Sequence, residues 1–500
     1  MQEKIDQLKT LIGEVIDLQQ TLGVLGWDQQ TYMPPAAAAD RADQQSTIAR
    51  IAHIKLTSDE MGSLIHDLAS YIGQLDPDSD EARMVKVAKR HYEKQTRVPT
   101  EWVAAFTQVT SLAHEAWVKA KVSSDFSIFQ PHLEKIVEMR REYAGFFQPY
   151  EHVYDPLLDD YEPGMKTKDV KTIFTALRPQ QVSLIEAIRS KPQVDDSFLK
   201  LEYPEDKQLA FGKEVITRLG FDWNRGRQDI SVHPFTTGLG MDDVRITTRI
   251  QPDHLATALF GSVHECGHAL YEMGFQAKDR RSILGTAASL AIHESQSRMY
   301  ENLVGRSKSF WKYFYPRLQA FFPAQLGNVS LETFYRGINR VSPSLIRVEA
   351  DEATYNLHIM LRLELELAMM EGTLRVADLP GAWNEIMKNY LGLTPENDAV
   401  GVLQDIHWSA GYFGYFSTYA LGNLISAQLW ECILKDIPNL PSQIEEGEFT
   451  ALLSWLREKI HNPGSRYEPQ ELVQRVTGRK IDPQPYIRYL NQKYADIYGL

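Results

Sequence analysis

The chain has 500 residues, 43% of them hydrophobic, which is enough for a large buried core. Its 66 acidic residues outnumber its 53 basic ones, and the formal charge of −13 argues against a nucleic-acid-binding protein, which needs a cationic surface. Two cysteines cannot build a disulfide framework, and no stretch reaches the roughly 18 apolar residues of a membrane span. We predict a cytoplasmic protein that binds neither nucleic acid nor membranes.

Helical periodicity dominates the chain from its N-terminus. Apolar residues follow the three-and-four spacing of an amphipathic helix at Ile5, Leu8, Leu11, Ile12, Val15 and Ile16. The same spacing returns at Ala353, Leu357, Met360 and Leu361. Proline-rich breaks typical of connections between helices fall at 33–35, 155–164, 438–441 and 462–464. We therefore predict a mainly α fold.

One segment lacks this helical periodicity. Residues 230–250 contain glycine and proline, and residues 244–250 alternate between β-branched or apolar and polar side chains. Alternation with period two predicts a half-buried strand. We expect this strand at the edge of a small sheet, immediately before the helix that carries the next motif.

A metal-binding motif follows on a helix predicted over 255–275. His264 and His268 are four residues apart, so both imidazoles lie on one face and can reach one cation. Glu265 lies about 100° round the helix, where it can activate a water molecule. Cys266 projects away from the shared face and is predicted to be packed. Two core histidines are the alternative, but chance gives on the order of 0.03 such motifs per chain.

A catalytic zinc site needs a third protein ligand, and Glu294 is the favoured candidate. It lies in a second helical stretch, 287–302. This stretch follows His268 at a distance that allows a turn and a second helix running antiparallel to the first. One alternative is that Glu294 only pairs with Arg298 at i+4. The other is that His293 is the ligand, although two imidazoles with one carboxylate form the commoner peptidase set.

Further motifs occur along the whole chain, in the order Trp27-Asp28-Gln29, Met33-Pro34-Pro35, His233-Pro234-Phe235, Asp243-Val244-Arg245-Ile246-Thr247, His293-Glu294-Ser295-Gln296, Ile346-Arg347-Val348-Glu349-Ala350-Asp351 and Gly401-Val402-Leu403-Gln404-Asp405-Ile406-His407-Trp408. With them the chain resembles the carboxypeptidase Taq family of thermostable zinc metallocarboxypeptidases. The resemblance implies that Glu294 supplies the third ligand.

The resemblance also implies a fold and a domain organisation. The fold would be a deep-grooved helical metallopeptidase, similar to neurolysin-like and angiotensin-converting-enzyme-like peptidases, with a small β-sheet beside the zinc helix. Residues 1–500 would form a single catalytic peptidase unit and a homodimer. Within it, residues 1–220 would form the groove roof and dimer contacts, and residues 221–430 the zinc-binding and substrate-binding core.

The activity implied is removal of single C-terminal amino acids, with broad specificity and poor release of proline. The substrates would be peptides with a free C-terminal carboxylate. Each chain would bind one Zn²⁺, which Co²⁺ can replace because nitrogen and oxygen ligands suit both ions. Glu265 would act as the general base.

An exopeptidase must recognise the terminal carboxylate, and a guanidinium suits that group best. Arg347 is the first candidate because the resemblance places it at the substrate end. Its alternative role is an intrahelical pair with Asp351 at i+4. Arg245, on the predicted edge strand, is the second candidate, and that strand could itself align substrate as an added β partner.

His407 would be a structural histidine on its own, but the resemblance implies substrate binding or oxyanion stabilisation. Gln404 and Asp405 are then expected to hold its other nitrogen. Related helical peptidases stabilise the oxyanion with a tyrosine hydroxyl in this region, which makes Tyr419 and Tyr412 candidates. Core packing is their alternative role.

Three other functions stay open at this point. A helical zinc endopeptidase would share the metal chemistry but lack the carboxylate anchor. A peptidyl dipeptidase would place that anchor one residue further from the metal. A binding or structural protein with a vestigial zinc site would not need the intact Glu265.

Overall fold

Helices form most of the structure, a computed structural model that describes residues 1–500. One three-stranded sheet accompanies them, with β1 at Gly226–Ile230, β2 at Thr236–Gly238 and β3 at Val244–Thr248. The predicted mainly α fold is confirmed, and none of the helices is long and apolar enough to cross a membrane. The helices in chain order are α1 (Gln2–Thr31), α2 (Ala38–Leu56), α3 (Asp59–Tyr71), α4 (Asp80–Arg97), α5 (Thr100–Ser123), α6 (Gln130–Gly145), α7 (Asp155–Asp159), α8 (Thr167–Arg189), α9 (Glu205–Leu219), α10 (Leu255–Glu272), α11 (Leu290–Arg298), α12 (Lys308–Phe321), α13 (Pro323–Leu326), α14 (Leu331–Ile338), α15 (Tyr355–Glu371), α16 (Leu379–Leu391), α17 (Ser417–Asp436), α18 (Leu440–Glu445), α19 (Thr450–Leu456), α20 (Pro469–Thr477) and α21 (Gln484–Tyr498).

The chain folds into two compact units, each assembled from three stretches of sequence. The first unit comprises Met1–Thr96, Asp195–Ile338 and Leu429–Gly478. The second unit comprises Arg97–Val194, Asn339–Gln428 and Arg479–Leu500. The first unit holds the sheet, α10 and α11, and the second holds α15.

The N-terminal helix α1 is amphipathic, as its spacing predicts. Ile5, Leu8 and Ile12 recur at three- and four-residue intervals and are almost completely buried. They share a core cluster with Met61 and Leu68 of α3. Burial of one apolar face, rather than helix propensity alone, therefore holds α1 in place in the first unit.

The sheet confirms the predicted strand but not its position. The strand order is β1-β3-β2, with β1 parallel and β2 antiparallel to β3. Since β3 pairs on both sides, it is the central strand, and the prediction of an edge strand open to substrate is wrong. The unpredicted neighbour is β1, whose residues Gly-Arg-Gln-Asp-Ile lack the alternation that marks a strand in sequence.

The helix α10 packs against both the sheet and α11. Cys266 is fully buried, as predicted for a packed residue. Gly267 faces α11 so closely that a Cβ there would lie 2.6 Å from the Cα of Ser297 and 2.7 Å from the carbonyl oxygen of Gln296. Only a glycine permits this backbone approach, which brings α11 against the histidine-bearing turn of α10.

The second unit is organised around α15, which is buried along nearly its whole length. It buries charged groups as well as apolar ones, and each charged group has partners. Arg362 donates from Nε to Asp405 at 2.7 Å. Glu366 accepts hydrogen bonds from the Trp408 indole and the Gly414 amide at 2.8 and 3.0 Å. Burial raises the pKa of Glu366 to about 7.

We expect Gly267→Ala to lower the stability of the first unit by about 1–3 kcal/mol, because the added methyl overlaps the backbone of α11. Gly212 of α9 is the matched control, since a Cβ there meets only the Ser262 side chain, at 3.6 Å or more. Gly212→Ala should be neutral or stabilise by up to about 1 kcal/mol. Urea unfolding followed by circular dichroism measures both, and equal midpoints for the two variants would contradict the packing argument.

Candidate active site

Two imidazoles and one carboxylate converge where α10 meets α11. Oε2 of Glu294 lies 3.6 Å from Nε2 of His264 and 3.4 Å from Nε2 of His268. One ligand atom from each of the three residues lies within 4.8 Å of the other two. Two nitrogen donors and one oxygen donor at this spacing suit a divalent transition metal. The residues present therefore fit a metal ion.

The two oxygens of Glu294 have different partners. Oε1 accepts a hydrogen bond of 2.6 Å from Nε of Arg298, while Oε2 faces the imidazoles and accepts one of 3.0 Å from Ser297. Burial alone would raise the pKa of Glu294, but Arg298 and the histidines hold it well below its usual value. The pair with Arg298, which the sequence offered as an alternative to ligation, is thus present and leaves Oε2 directed at the histidines.

Glu301 holds the ring of His264, and sequence reasoning missed it. It lies in the π-helical turn Met299–Val304 that continues α11, and its Oε2 is 2.9 Å from Nδ1 of His264. Arg298 donates to the same oxygen at 3.2 Å. Against the effect of burial, Arg298 and His264 lower the pKa of Glu301 to about 2. An ionised carboxylate only accepts, so His264 donates from Nδ1 and keeps the lone pair on Nε2.

His293, the competing ligand, directs both ring nitrogens to other side chains. Its Nδ1 lies 2.5 Å from Nδ1 of His268, and its Nε2 lies 2.7 Å from Oε1 of Glu272. The group of possible ligands is accordingly His264, His268 and Glu294, without His293.

Glu265 lies beside this group and points at β2. It is buried, and its Oε2 accepts a hydrogen bond of 2.6 Å from the hydroxyl of Thr236. Burial raises the pKa of Glu265, an effect that His264 and the Thr236 hydroxyl partly oppose. A buried carboxylate held by one oxygen can exchange protons through the other. No pattern in the sequence distinguished Thr236, because its role depends on a pairing between β2 and β3 that brings it over α10.

Arg245 of β3 belongs to the same unit but is already paired. Its guanidinium donates to both oxygens of Asp243 at 2.8 Å and lies 4.3 Å from the ring centre of Trp27. The guanidinium of Arg227 of β1 lies 4.9 Å from the centre of the same Trp27 ring. These contacts join α1 to the sheet, as cation–π pairs do in packed interfaces.

In the second unit, Arg347 is almost completely buried and bound to Asp405. Its Nε and Nη2 donate to Oδ1 of Asp405 at 3.0 and 2.9 Å, and its Nη1 donates to the hydroxyl of Tyr355 at 3.1 Å. The alternative pair with Asp351 is wrong. Asp351 instead accepts hydrogen bonds from backbone amides, including those of Ala353 and Thr354, just before α15 begins.

His407, Tyr419 and Tyr412 lie in the same cluster as Arg347. The His407 ring is 6.5 Å from that of Tyr419 and 6.4 Å from that of Tyr412, and Tyr419 lies 5.1 Å from the guanidinium of Arg347. Burial lowers the pKa of His407 to about 4, so the ring is neutral at pH 7. Tyr412 is 45% exposed, unlike the buried aromatic core.

The expected partners of His407 hold other residues. Asp405 bonds to the guanidinium groups of Arg347 and Arg362, and Oε1 of Gln404 accepts from the backbone amide of Arg347 and from Nη2 of Arg362. Nδ1 of His407 forms no hydrogen bond and lies 3.9 Å from Asp405. Asp405 therefore positions both guanidinium groups, and Gln404 that of Arg362. A guanidinium is a stronger partner for a buried carboxylate than a neutral ring.

Comparisons with known proteins agree along the whole chain. The family model for carboxypeptidase Taq (M32) metallopeptidases matches residues 7–494. The chain is 41% identical to thermostable carboxypeptidase 1 of Thermus thermophilus over 490 residues, which cover 96% of each protein. It is 39% identical to carboxypeptidase 1 of Bacillus subtilis over 491 residues, 98% of each.

Solved structures show the same similarity. The M32 carboxypeptidase from Deinococcus radiodurans R1 superimposes with a TM-score of 0.97 at 40% identity, over 100% of both chains. The carboxypeptidase of Pyrococcus furiosus gives a TM-score of 0.95 at 37% identity, over 98% of this chain and 99% of the other. Together with the His264, His268 and Glu294 group, these matches establish that the chain belongs to the carboxypeptidase Taq (M32) family and is a metallocarboxypeptidase, a peptide hydrolase.

Proposed function

We propose that this metallocarboxypeptidase uses zinc to release single C-terminal amino acids from peptides, with broad specificity and poor release of proline. The observation that carries the proposal is the group His264, His268 and Glu294 with the buried carboxylate of Glu265 beside it. Each of these residues has a partner that orients it, as hydrolytic metal sites require.

The proposed metal is one Zn²⁺ per chain, held by His264, His268 and Glu294. Three protein ligands of this kind are typical of catalytic zinc sites, which keep one position open. When bound, the ion would supply Lewis acidity that polarises a carbonyl and lowers the pKa of water. Co²⁺ suits the same donors and is proposed to replace it.

Glu265 is the proposed general base and acid. Thr236 holds its Oε2, so we assign Oε1 the proton that leaves the attacking water molecule as the new C–O bond forms. As the peptide C–N bond breaks, Oε1 returns this proton to the nitrogen of the departing amino acid, which restores the carboxylate. A pKa raised by burial suits a group that must both accept and donate a proton.

Arg347 is proposed to bind the terminal carboxylate of the substrate, and His407 to assist it. Asp405 and Tyr355 fix the plane of the Arg347 guanidinium, which makes it a preorganised partner for a planar anion. Arg245 stays the second candidate, and Asp243 takes two of its donors just as Asp405 takes two of those of Arg347.

Tyr419 and Tyr412 are both proposed as donors to the oxyanion. Burial raises the pKa of Tyr419 well above its usual value, so its hydroxyl keeps its proton at working pH. Tyr412 is the more exposed of the two and the more accessible to a peptide.

The remaining proposals concern location and assembly. We propose that the enzyme works in the cytoplasm as a homodimer and that residues 1–500 act as one catalytic unit. Within it, residues 1–220 are proposed to roof the groove and make dimer contacts, and residues 221–430 to bind zinc and substrate.

The first test is product analysis by mass spectrometry, with a mid-length peptide in free-acid and C-terminally amidated forms. We expect stepwise loss of single residues from the free acid only. Glu265→Gln should cut the rate by about 10²–10⁴-fold, because the amide cannot accept the proton. Internal cuts in both peptides would indicate an endopeptidase, and release of dipeptides a peptidyl dipeptidase. No cleavage by folded, metal-loaded protein would leave only a binding role.

A second test separates the two candidate anchors. Arg347→Lys keeps the charge but loses the planar fork, so we expect kcat/KM for free-acid peptides to fall about 10- to 100-fold, mainly through KM. Arg245→Lys is the matched control and should change KM less than threefold. The reverse order of effects would assign the anchor to Arg245.

A third test removes the metal. Treatment with a chelator should abolish activity, and added Zn²⁺ or Co²⁺ should restore it, whereas Mg²⁺ should not, because imidazole ligands disfavour it. Zinc at 100 times its Kd should also stabilise the fold by about 2.7 kcal/mol, measured as a rise in Tm. Full activity in metal-free protein would exclude the zinc mechanism.

A further inference from the structure

We infer that Glu272 and His293 form a hydrogen-bonded relay that fixes the tautomer of His268, so that its Nε2 presents a lone pair to the metal. His293 is then a positioning residue and not a ligand. The inference deepens the proposed function, because it takes His268 as a metal ligand, and it assigns a role to two side chains that the hydrolytic mechanism leaves unused.

The carboxylate of Glu272, at the outer end of the relay, determines which groups donate and which accept hydrogen bonds. Oε1 of Glu272 lies 2.7 Å from Nε2 of His293, and a carboxylate can only accept. His293 therefore carries a proton on Nε2, and in the neutral ring its Nδ1 is an acceptor. That nitrogen lies 2.5 Å from Nδ1 of His268, a contact that requires one donor and one acceptor. His268 must then carry its proton on Nδ1, which leaves the lone pair on Nε2.

The unprotonated nitrogen of His268, Nε2, faces the proposed metal-ligand group. Its Nε2 lies 3.4 Å from Oε2 of Glu294, inside the ligand group, while Nδ1 lies on the opposite side of the ring. The relay is also sheltered, since the side chains of His268, His293 and Glu272 are only 15%, 17% and 23% exposed. Water cannot easily replace a partner that is lost there.

A glycine of the sheet confines the outer end of the relay. A Cβ at Gly238 of β2 would lie 2.6 Å from Oε2 of Glu272. The strand thus leaves just enough room for the carboxylate to reach His293. Because Glu272 is the flexible end of a side chain, Gly238→Ala should displace this carboxylate rather than the backbone.

The test measures zinc affinity of the full-length protein by competition with a fluorescent chelator. His293→Leu fills similar space without an acceptor, and we expect it to raise the zinc Kd about 10- to 100-fold. His293→Asn is the matched variant, because its Oδ1 can take the place of Nδ1, and it should raise Kd less than tenfold. Gly238→Ala should fall between the wild type and His293→Leu, with circular dichroism showing an unchanged fold.

Absorption of the Co²⁺-loaded proteins shows whether His293 is itself a ligand. We expect the spectra to indicate the same number of protein ligands in the wild type and in His293→Leu, and one protein ligand fewer in His268→Ala. Wild-type affinity in both His293→Leu and Gly238→Ala would overturn the relay while leaving the proposed function intact. A ligand lost in His293→Leu would overturn the inference in favour of direct coordination. Unchanged zinc binding in His268→Ala would overturn the proposed ligand set, and the inference with it.

Discussion

The close approach of α10 and α11 at Gly267 is the constraint on which the metal site depends. Helices that carry side chains at their contact keep their axes 8–10 Å apart. Here a glycine faces the backbone of Gln296 and Ser297 directly, so Glu294, a few residues earlier on α11, reaches both histidines of α10. A metal site made from two helices needs this kind of fixed spacing, because its ligand atoms must meet within a few tenths of an ångström.

The second helix contributes more than the proposed ligand Glu294. Glu294, Arg298 and Glu301 follow each other at intervals of four and three residues, and the π-helical turn continues the row toward α10. Carboxylates and guanidinium alternate along it, so each buried charge has an opposite charge within hydrogen-bonding distance. The row binds His264 at one end while leaving one oxygen of Glu294 directed at the imidazoles. The same short segment thus supplies the buried charges of Glu294, Arg298 and Glu301 and orients the ring of His264.

The sequence predicted the groups whose chemistry is local and missed those that depend on long-range pairing. The motif around His264 brings two imidazoles to one face by helix geometry alone, and Glu294 could be proposed as a ligand because a carboxylate was needed nearby. The alternative role of Arg347, a pair with Asp351 at i+4, requires both residues on one helix. The backbone extends at Ile346 and again before α15, which breaks the helical spacing, so the partner comes from a distant loop.

The three residues of β2 connect two parts of the chemistry. Thr236 bonds to the proposed base, and the bare backbone of Gly238 borders the carboxylate that ends the histidine relay. This strand is an edge, and within the sheet it pairs only with β3. Short edge segments open locally at far lower free energy than a helical core. Detachment of β2 would release the proposed base and loosen a proposed metal ligand together. Heat inactivation should therefore set in while the helices are still intact, and amide exchange in β2 would mark its onset.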